Sequence, residues 1–193
     1  MLHIITPVYR TNFLQRIYET IPKKEDVVWH IPCIKKRQNE INITGVTDYP
    51  IIKKYFLDCE EEEAFKNSSK RNLCLDSIKD GYFCFLDDDT IFLDEMYSLY
   101  KDLLSKKYVG MAVGEQIKKN GSKRLNASIP TYANIDTGNA IAHHICLLKC
   151  RWKYDEKNNK LPKDYVFWNS VYEFFHKQCL LINKVVSIYN KLR

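Results

Sequence analysis

Apolar and polar positions along the chain alternate between two spacings. Leu2 to Val8 is a short apolar run closed by Pro7 and a turn, the pattern of a buried strand. Thr11 or Asn12 then caps a helix that places Leu14, Ile17, Tyr18 and Ile21 on one face, with Pro22 just beyond. Val27 to Ile31 reads as a second strand and Tyr55 to Leu57 as a third, across a polar stretch holding Asn42, Gly45 and Asp48. The four acids Glu60 to Glu63 suit a solvated helix start, because acids favour the positive end of the helix dipole. Ser68 or Ser69 leads a further helix through Leu73, Leu75 and Ile78, stopped near Gly81.

Tyr82 to Leu86 is apolar throughout, which predicts a central strand covered on both faces. Thr90 to Lys107 reads as helix, with Met96, Leu99, Tyr100, Leu103 and Leu104 on one side. Val109 to Ile117 reads as strand, and Asn120-Gly121 signals a hairpin after it. Ile135 to Ile145 mixes strand and turn signals. Asp164 is placed to cap a helix carrying Val166, Phe167, Val171 and Phe174 or Phe175, and Val185 to Tyr189 forms a last strand. Strand and helix alternate through the first half. The expected fold is therefore α/β, a single domain over residues 1–193 with a mostly parallel central sheet, flanking helices and a small β-hairpin region.

Composition narrows the function classes. The chain has 193 residues, 45% of them hydrophobic and 13% aromatic, enough for a packed core and incompatible with disordered or collagen-like classes. Thirty basic against 24 acidic residues give a net charge of +6, short of the balance of a dedicated nucleic-acid binder but compatible with a phosphorylated ligand. The start Met1 to Pro7 is too short and too quickly polar for a signal peptide, and no stretch approaches the roughly 20 apolar residues of a membrane span. These features point to a cytoplasmic protein with no integral membrane segment. The seven cysteines form no CxxC and no zinc spacing, and several lie in apolar runs, as small buried hydrophobes do.

The chemistry concentrates in Asp87-Asp88-Asp89, directly after the apolar run Tyr82 to Leu86. Side chains at i and i+2 of an extended chain share a face, so Asp87 and Asp89 are expected to converge and Asp88 to point elsewhere. Adjacent carboxylates repel one another, and a hard divalent ion such as Mn²⁺ or Mg²⁺ is the partner that neutralises oxygen ligands. The carboxyl end of a strand is also where open α/β sheets bind ligands. An acidic turn that caps the next helix is the structural alternative.

Around this cluster the chain resembles family-2 glycosyltransferases of the GT-A fold. Their apolar-Thr-Pro-x-Tyr start is matched by Ile4-Ile5-Thr6-Pro7-Val8-Tyr9-Arg10, and their Ala-Arg-Asn helix by Lys70-Arg71-Asn72. Asp80-Gly81-Tyr82 then leads into Asp87-Asp88-Asp89, which matches the Asp-x-Asp motif. Further on, Arg151-Trp152-Lys153-Tyr154-Asp155-Glu156 is similar to the family's Gly-Gly-Phe-Asp-Glu, and Lys163-Asp164-Tyr165-Val166-Phe167-Trp168 to its Glu-Asp-Tyr-x-x-Trp. Order and spacing agree over roughly residues 2 to 190. The family's acid after the second strand, which helps read the nucleotide base, has no counterpart in Val27 to Cys33, and Asp58 is a remote substitute. The usual Glu before Asp164 is Lys163, and the Gln-x-x-Arg-Trp motif of processive synthases is absent.

The resemblance implies a metal-dependent, inverting hexosyltransferase. It would move one sugar from a nucleotide-diphosphate sugar, with a UDP-sugar favoured, to the hydroxyl of a glycan or other acceptor. Asp89 would ligate Mn²⁺ or Mg²⁺ directly, and Asp87 would meet the metal or the ribose. Thr6, Pro7 and Tyr9 would line the base pocket, with Arg71, Asn72 and Asp88 completing the donor site. Asp164 would be the general base that takes the acceptor proton, with a plain helix cap as its structural alternative. Asp136-Thr137-Gly138-Asn139 would form an acceptor-side loop or an ordinary turn. His143 or His144 would add a metal ligand or simply pack, and Trp152 and Trp168 suit a core or an acceptor platform. Two other classes fit the same residues less fully. One is a metal-dependent nuclease or nucleotidyltransferase, which leaves the Thr-Pro-x-Tyr start unexplained. The other is a non-catalytic sugar-nucleotide-binding module. The sequence does not fix an oligomeric state.

Overall fold

A computed structural model describes residues 1–66, 68–132, 134–153 and 162–189. Four strands, β1 (Leu2–Ile5), β2 (Val27–Ile34), β3 (Ile51–Leu57) and β4 (Tyr82–Phe85), run parallel in the spatial order β3-β2-β1-β4. Helix α1 (Leu14–Thr20) connects β1 to β2, and α2 (Glu61–Lys66) and α3 (Ser69–Ser77) connect β3 to β4. After β4 come β5 (Ile91–Phe92), α4 (Asp94–Ser105), β6 (Met111–Lys118), β7 (Lys123–Leu125), β8 (Ala140–His143), α5 (Lys163–Phe174) and β9 (Cys179–Tyr189). The sheet continues from β4 through β8, β6, β9 and β5, with β7 hydrogen-bonded to β6. Strand β8 is antiparallel to both of its neighbours, while β6 and β9 are parallel. The result is the expected mixed α/β domain, its curled and largely parallel sheet flanked by helices.

Several boundaries move for identifiable reasons. Thr90 to Lys107 is not one helix: Ile91 and Phe92 pair with Ile188 and Ser187 of β9, and the helix starts only at Asp94. A β-branched residue beside an aromatic favours the strand, and Asp94 and Glu95 then sit in the first turn, where the dipole favours acids. Residues Thr11–Phe13 form a single 3-10 turn, and the Thr11 hydroxyl donates to Glu40 rather than capping α1. Asp164 is not the cap of α5 either. Pro162 takes that position and Asp164 falls inside the first turn. The hairpin at Asn120-Gly121 is present, with Gly121 at φ +82° and Asn120 Oδ1 accepting from the backbone of Ser122.

Each face of β4 seeds one half of the core. Tyr82, Cys84 and Leu86 pack with α1, α4 and the buried faces of β1 and β2. Phe83 and Phe85 pack on the other side with Cys74, Trp152, Phe167, Trp168 and Val171. There Phe83 stacks on Trp168 at 6.0 Å and Trp152 on Phe167 at 4.7 Å. This aromatic layer seats α5 against the sheet and fixes the height of its first turn. Five of the seven cysteines are buried and all are free, in keeping with their apolar setting. Gly81 leads into β4 at φ +67°, where a Cβ would lie 2.0 Å from the Met1 carbonyl oxygen.

A chain of polar side chains runs obliquely across the parallel strands, from Asp80 before β4 to Tyr55 in the second half of β3. Asp80 meets His3 Nε2 at 3.1 Å, His3 Nδ1 meets His30 Nε2 at 2.9 Å, and His30 Nδ1 meets the Tyr55 hydroxyl at 2.8 Å. Tyr55 in turn meets Ser77 Oγ at 2.9 Å. Burial pushes His30 down from 6.5 to about 3, and the charges of His3 and Lys53 push the same way. A base whose folded pKa is depressed takes its proton first in the unfolded chain, so stability is lost as pH falls between about 6.5 and about 3. At pH 4.5 the loss from this group is about 2–3 kcal/mol. Urea unfolding at pH 7 and pH 4.5 will therefore show a smaller acid loss in His30→Gln than in the wild type. An equal loss in both would rule His30 out as its source.

Candidate active site

The backbone turns immediately after β4, with the Thr90 amide donating to the Asp87 carbonyl at 3.0 Å. This turn overrides the alternation of an extended chain. Asp87 keeps the face of Phe83 and Phe85, but Asp88 and Asp89 both swing towards Arg10 at the end of β1. Asp88 Oδ2 accepts from the backbone amides of Tyr9 and Arg10, each at 2.6 Å. Its Oδ1 accepts from Arg10 Nε at 2.8 Å and from Arg10 Nη2. Asp89 Oδ2 lies 3.0 Å from Arg10 Nη2. Asp88 and Asp89 are each 1% exposed. The expected convergence of Asp87 with Asp89 is thus corrected, and Asp88 anchors the loop after β1 instead of facing the cleft.

Asp87 stands apart from the other two. Its side chain still reaches solvent, and its Oδ1 lies 3.4 Å from Arg71 Nη2. Two elements bring further carboxylates to it. Strand β8 runs antiparallel to β4, with Ile141 opposite Cys84, so the turn before β8 carries Asp136 to the end of β4. The first turn of α5 brings Asp164. Asp136 is held by Arg124 and by a capping box with Asn139. Burial pushes the Asp87 carboxyl above the usual range, Asp136 pushes the same way, and Arg71 pulls back. Burial also raises Asp164; Arg71 opposes the shift, while Asp136 and Asp87 add to it. Three mutually repelling carboxyl groups therefore gather beside Arg71, with Arg124 compensating Asp136 alone.

Arg71 is no solvated helix residue. Its side chain is 11% exposed and its guanidinium lies 4.4 Å above the Trp152 ring. Asn72 holds Trp152 in place, donating to its carbonyl at 2.9 Å and accepting from its amide at 3.0 Å. Asn72 thus acts on the site through Trp152, with both ends of its amide occupied. Thr6 is fully buried and accepts from Trp29 Nε1 at 2.9 Å, and Pro7 is buried beside it, so both shape the loop from beneath. Tyr9 remains partly exposed. His143 and His144 lie at the far end of the sheet, His143 opposite Tyr82, so neither joins the aspartates. Trp168 is a core residue, fully buried. Tyr154, Asp155 and Glu156 lie outside the described residues.

Arg10 and Lys70 are the residues that sequence reasoning passed over. Arg10 follows the matched Tyr9 directly, but no acid lies near it in the sequence, and its pairing with Asp88 and Asp89 arises only in the fold. Lys70 is fully buried, with Nζ donating to the Val8 carbonyl at 2.6 Å and to Glu61. It shares a buried stripe with Cys74 and Ile78 at a spacing of four, which the sequence does display.

Among the described residues, no three His, Cys, Asp or Glu side chains are arranged to hold a metal ion. A divalent ion that bridges a diphosphate needs fewer, since Mg²⁺ is commonly held by one or two carboxylates with the substrate phosphates completing its shell. The uncompensated negative charge around Asp87 fits such an ion.

No protein-family model matches the chain, and no curated protein matches it. Solved structures do share its fold. Against the crystal structure of S. aureus TarS 1-349 the TM-score is 0.64 at 16% identity, over 97% of this chain and 59% of that one. The same TarS chain in complex with UDP gives 0.65 at 14% identity, over 97% and 59%. Its complex with UDP-GlcNAc gives 0.61 at 14% identity, over 97% and 57%. The chain therefore spans under three fifths of the length of these TarS chains. At such identities the likeness is one of fold, and the fold it shares is that of a protein crystallised with UDP and UDP-GlcNAc.

Proposed function

We propose that this chain is a metal-dependent, inverting glycosyltransferase domain that moves one sugar from a UDP-sugar to an acceptor hydroxyl. The observation that carries this reading is the meeting of Asp87, Asp136 and Asp164 around Arg71 at the carboxyl ends of parallel strands. That is where an α/β sheet binds a nucleotide. The shared fold of a protein that binds UDP and UDP-GlcNAc supports the donor class.

Asp87, with Asp89 behind it, would hold Mn²⁺ or Mg²⁺ against the donor diphosphate, and the ion would supply charge neutralisation to the leaving group. Arg71 presents N–H donors beside Asp87, and its planar guanidinium suits phosphate oxygens. The Trp152 ring behind it and the Asn72 clamp keep that guanidinium in one place. Asp164 serves as general base. A carboxylate whose proton affinity is raised by partial burial and by Asp136 and Asp87 is better matched to taking a hydroxyl proton near neutral pH. Its place inside a helix turn, seated by the Phe167 and Trp168 packing, holds it at a fixed height above Asp87. A single displacement with Asp164 as base inverts the anomeric centre, and NMR of the new linkage reads that outcome directly.

Two substitutions separate the aspartates. Asp88→Asn removes the charge that four loop donors share, and breaking such a buried pair costs about 3 kcal/mol. Asp87→Asn relieves repulsion and will leave the melting temperature unchanged or raised, while Mn²⁺-dependent UDP affinity is lost. Thermal and urea unfolding check the stability outcomes, and calorimetric titration of UDP with and without Mn²⁺ checks the affinity. Wild-type UDP affinity in Asp87→Asn would remove this residue from the donor site.

Asp164→Asn removes the proton acceptor without disturbing a cap, since Pro162 holds that position. Transfer from UDP-sugar will fall by about 10²–10⁴-fold, with UDP binding and melting temperature preserved. Retained transfer would move the base elsewhere, with Asp136 the first alternative.

A further inference from the structure

Two segments meet at the candidate active site and touch at two successive points. One leads from Tyr132 to Asp136 and the turn before β8, and the other is the first turn of α5. The Asp164 carboxyl hydrogen-bonds that of Asp136. One residue further along α5, the Tyr165 ring meets the Tyr132 ring edge-on, with centroids 6.4 Å apart. Consecutive Cα atoms lie about 3.8 Å apart, so the aromatic pair begins one residue from the carboxyl proposed above as the general base. Residues three and four apart share a helix face. Asp164 therefore stands over Phe167 and Trp168, while Tyr165 stands at its flank, half-buried against the aromatic layer.

Tyr132 is 57% exposed, more than any other aromatic side chain among the described residues, and Ile129, three positions earlier, is also exposed. Its contact with Tyr165 holds the ring in place without covering it. Trp152 and Trp168, the two platforms that the sequence suggests, are buried and offer no free face. A tyrosine ring presents an apolar face with a polar rim. A pyranose is built in the same way, with C–H bonds on its faces and hydroxyls around its edge. Stacked on Tyr132, such a ring turns its edge towards Asp136 and Asp164, and an ionised carboxylate accepts a hydroxyl proton there. An open-chain polyol has hydroxyls but no flat apolar face.

We infer that Tyr132 and Tyr165 form the acceptor platform, and that the acceptor presents its hydroxyl from a pyranose ring stacked on Tyr132. Tyr165 is the positioning residue that holds the Tyr132 ring. This assignment rests on the glycosyltransferase reading above, and it narrows the acceptor from any hydroxyl to a sugar.

The test is saturation-transfer NMR in the presence of UDP and Mg²⁺. The probes are the methyl pyranosides of glucose, galactose and N-acetylglucosamine, with ribitol and glycerol as the open-chain comparison. At least one pyranoside will bind more tightly than both polyols, with saturation strongest on the C–H protons of one ring face. Tyr132→Ala will lose roughly three- to tenfold in pyranoside affinity, the scale of one aromatic contact, with UDP affinity and melting temperature unchanged. Tyr132→Phe keeps the ring and will keep the affinity. Wild-type pyranoside affinity in Tyr132→Ala, a loss in Tyr132→Phe as large as in Tyr132→Ala, or a polyol bound as tightly as every pyranoside overturns the assignment. A wild type that binds UDP but no pyranoside overturns it as well, and in all these outcomes the donor reading stands. A wild type that binds neither UDP nor a sugar overturns both. Should Tyr132→Ala melt below the wild type, Tyr132→Leu keeps the apolar bulk without the ring. Its pyranoside affinity should fall by the same factor, and a preserved affinity overturns the assignment.

Discussion

Asp88 gives both carboxylate oxygens to the loop that follows β1, and the candidate site is built on that clamp. Two backbone amides and one guanidinium converge on a carboxylate that is 1% exposed. Hydrogen bonds to a charged acceptor are stronger than neutral ones, and the Asp88 carboxylate itself is closed to water. The clamp joins the ends of β1 and β4, which are already paired in register from Leu2 and Tyr82 to Ile5 and Phe85. Tyr9 is therefore fixed relative to Asp87.

The clamp also divides labour among three adjacent acids that look alike. Asp88 and Asp89 are compensated by Arg10, so their charge is absorbed within the fold. Asp87 is left with Arg71, and two more carboxyl groups arrive from β8 and α5. Burying like charges is unfavourable unless something neutralises them. The fold accepts that cost at one place, the end of β4, and stabilises the surroundings with an apolar aromatic layer beneath it. An unbalanced charge above a rigid core suits the donor site proposed above, where a cation would supply the missing compensation.

Much of this was legible along the chain. Tyr82 to Leu86 could only be a central strand, because an unbroken apolar run must be covered on both faces, and Asp87 had to lie at its end. The match of Thr6-Pro7-Val8-Tyr9 to a strand-end loop placed that loop correctly, and the helix carrying Phe167 and Val171 formed over nearly the expected residues. The split of Thr90 to Lys107 was not legible. Ile91 and Phe92 become strand through pairing with β9, nearly a hundred residues away in sequence, and no local preference reports such a partner.

The sequence by itself determined the strand-helix order, the apolar faces and the position of the acids at a strand end, because these follow from local periodicity and from the cost of leaving apolar surface in water. Only the tertiary structure decided which acid does what. Asp87, Asp88 and Asp89 are the same residue type within three positions, and their difference arises from a turn and from Arg10, Arg71, Asp136 and Asp164, each carried in by a different element. Lys70 illustrates the same division. Its charge reads as solvent-facing, yet the helix register sends it inward, and it stays there because Glu61 and the Val8 carbonyl wait for it. Charge partners are set by contact in space, and spacing along the chain carries no record of them.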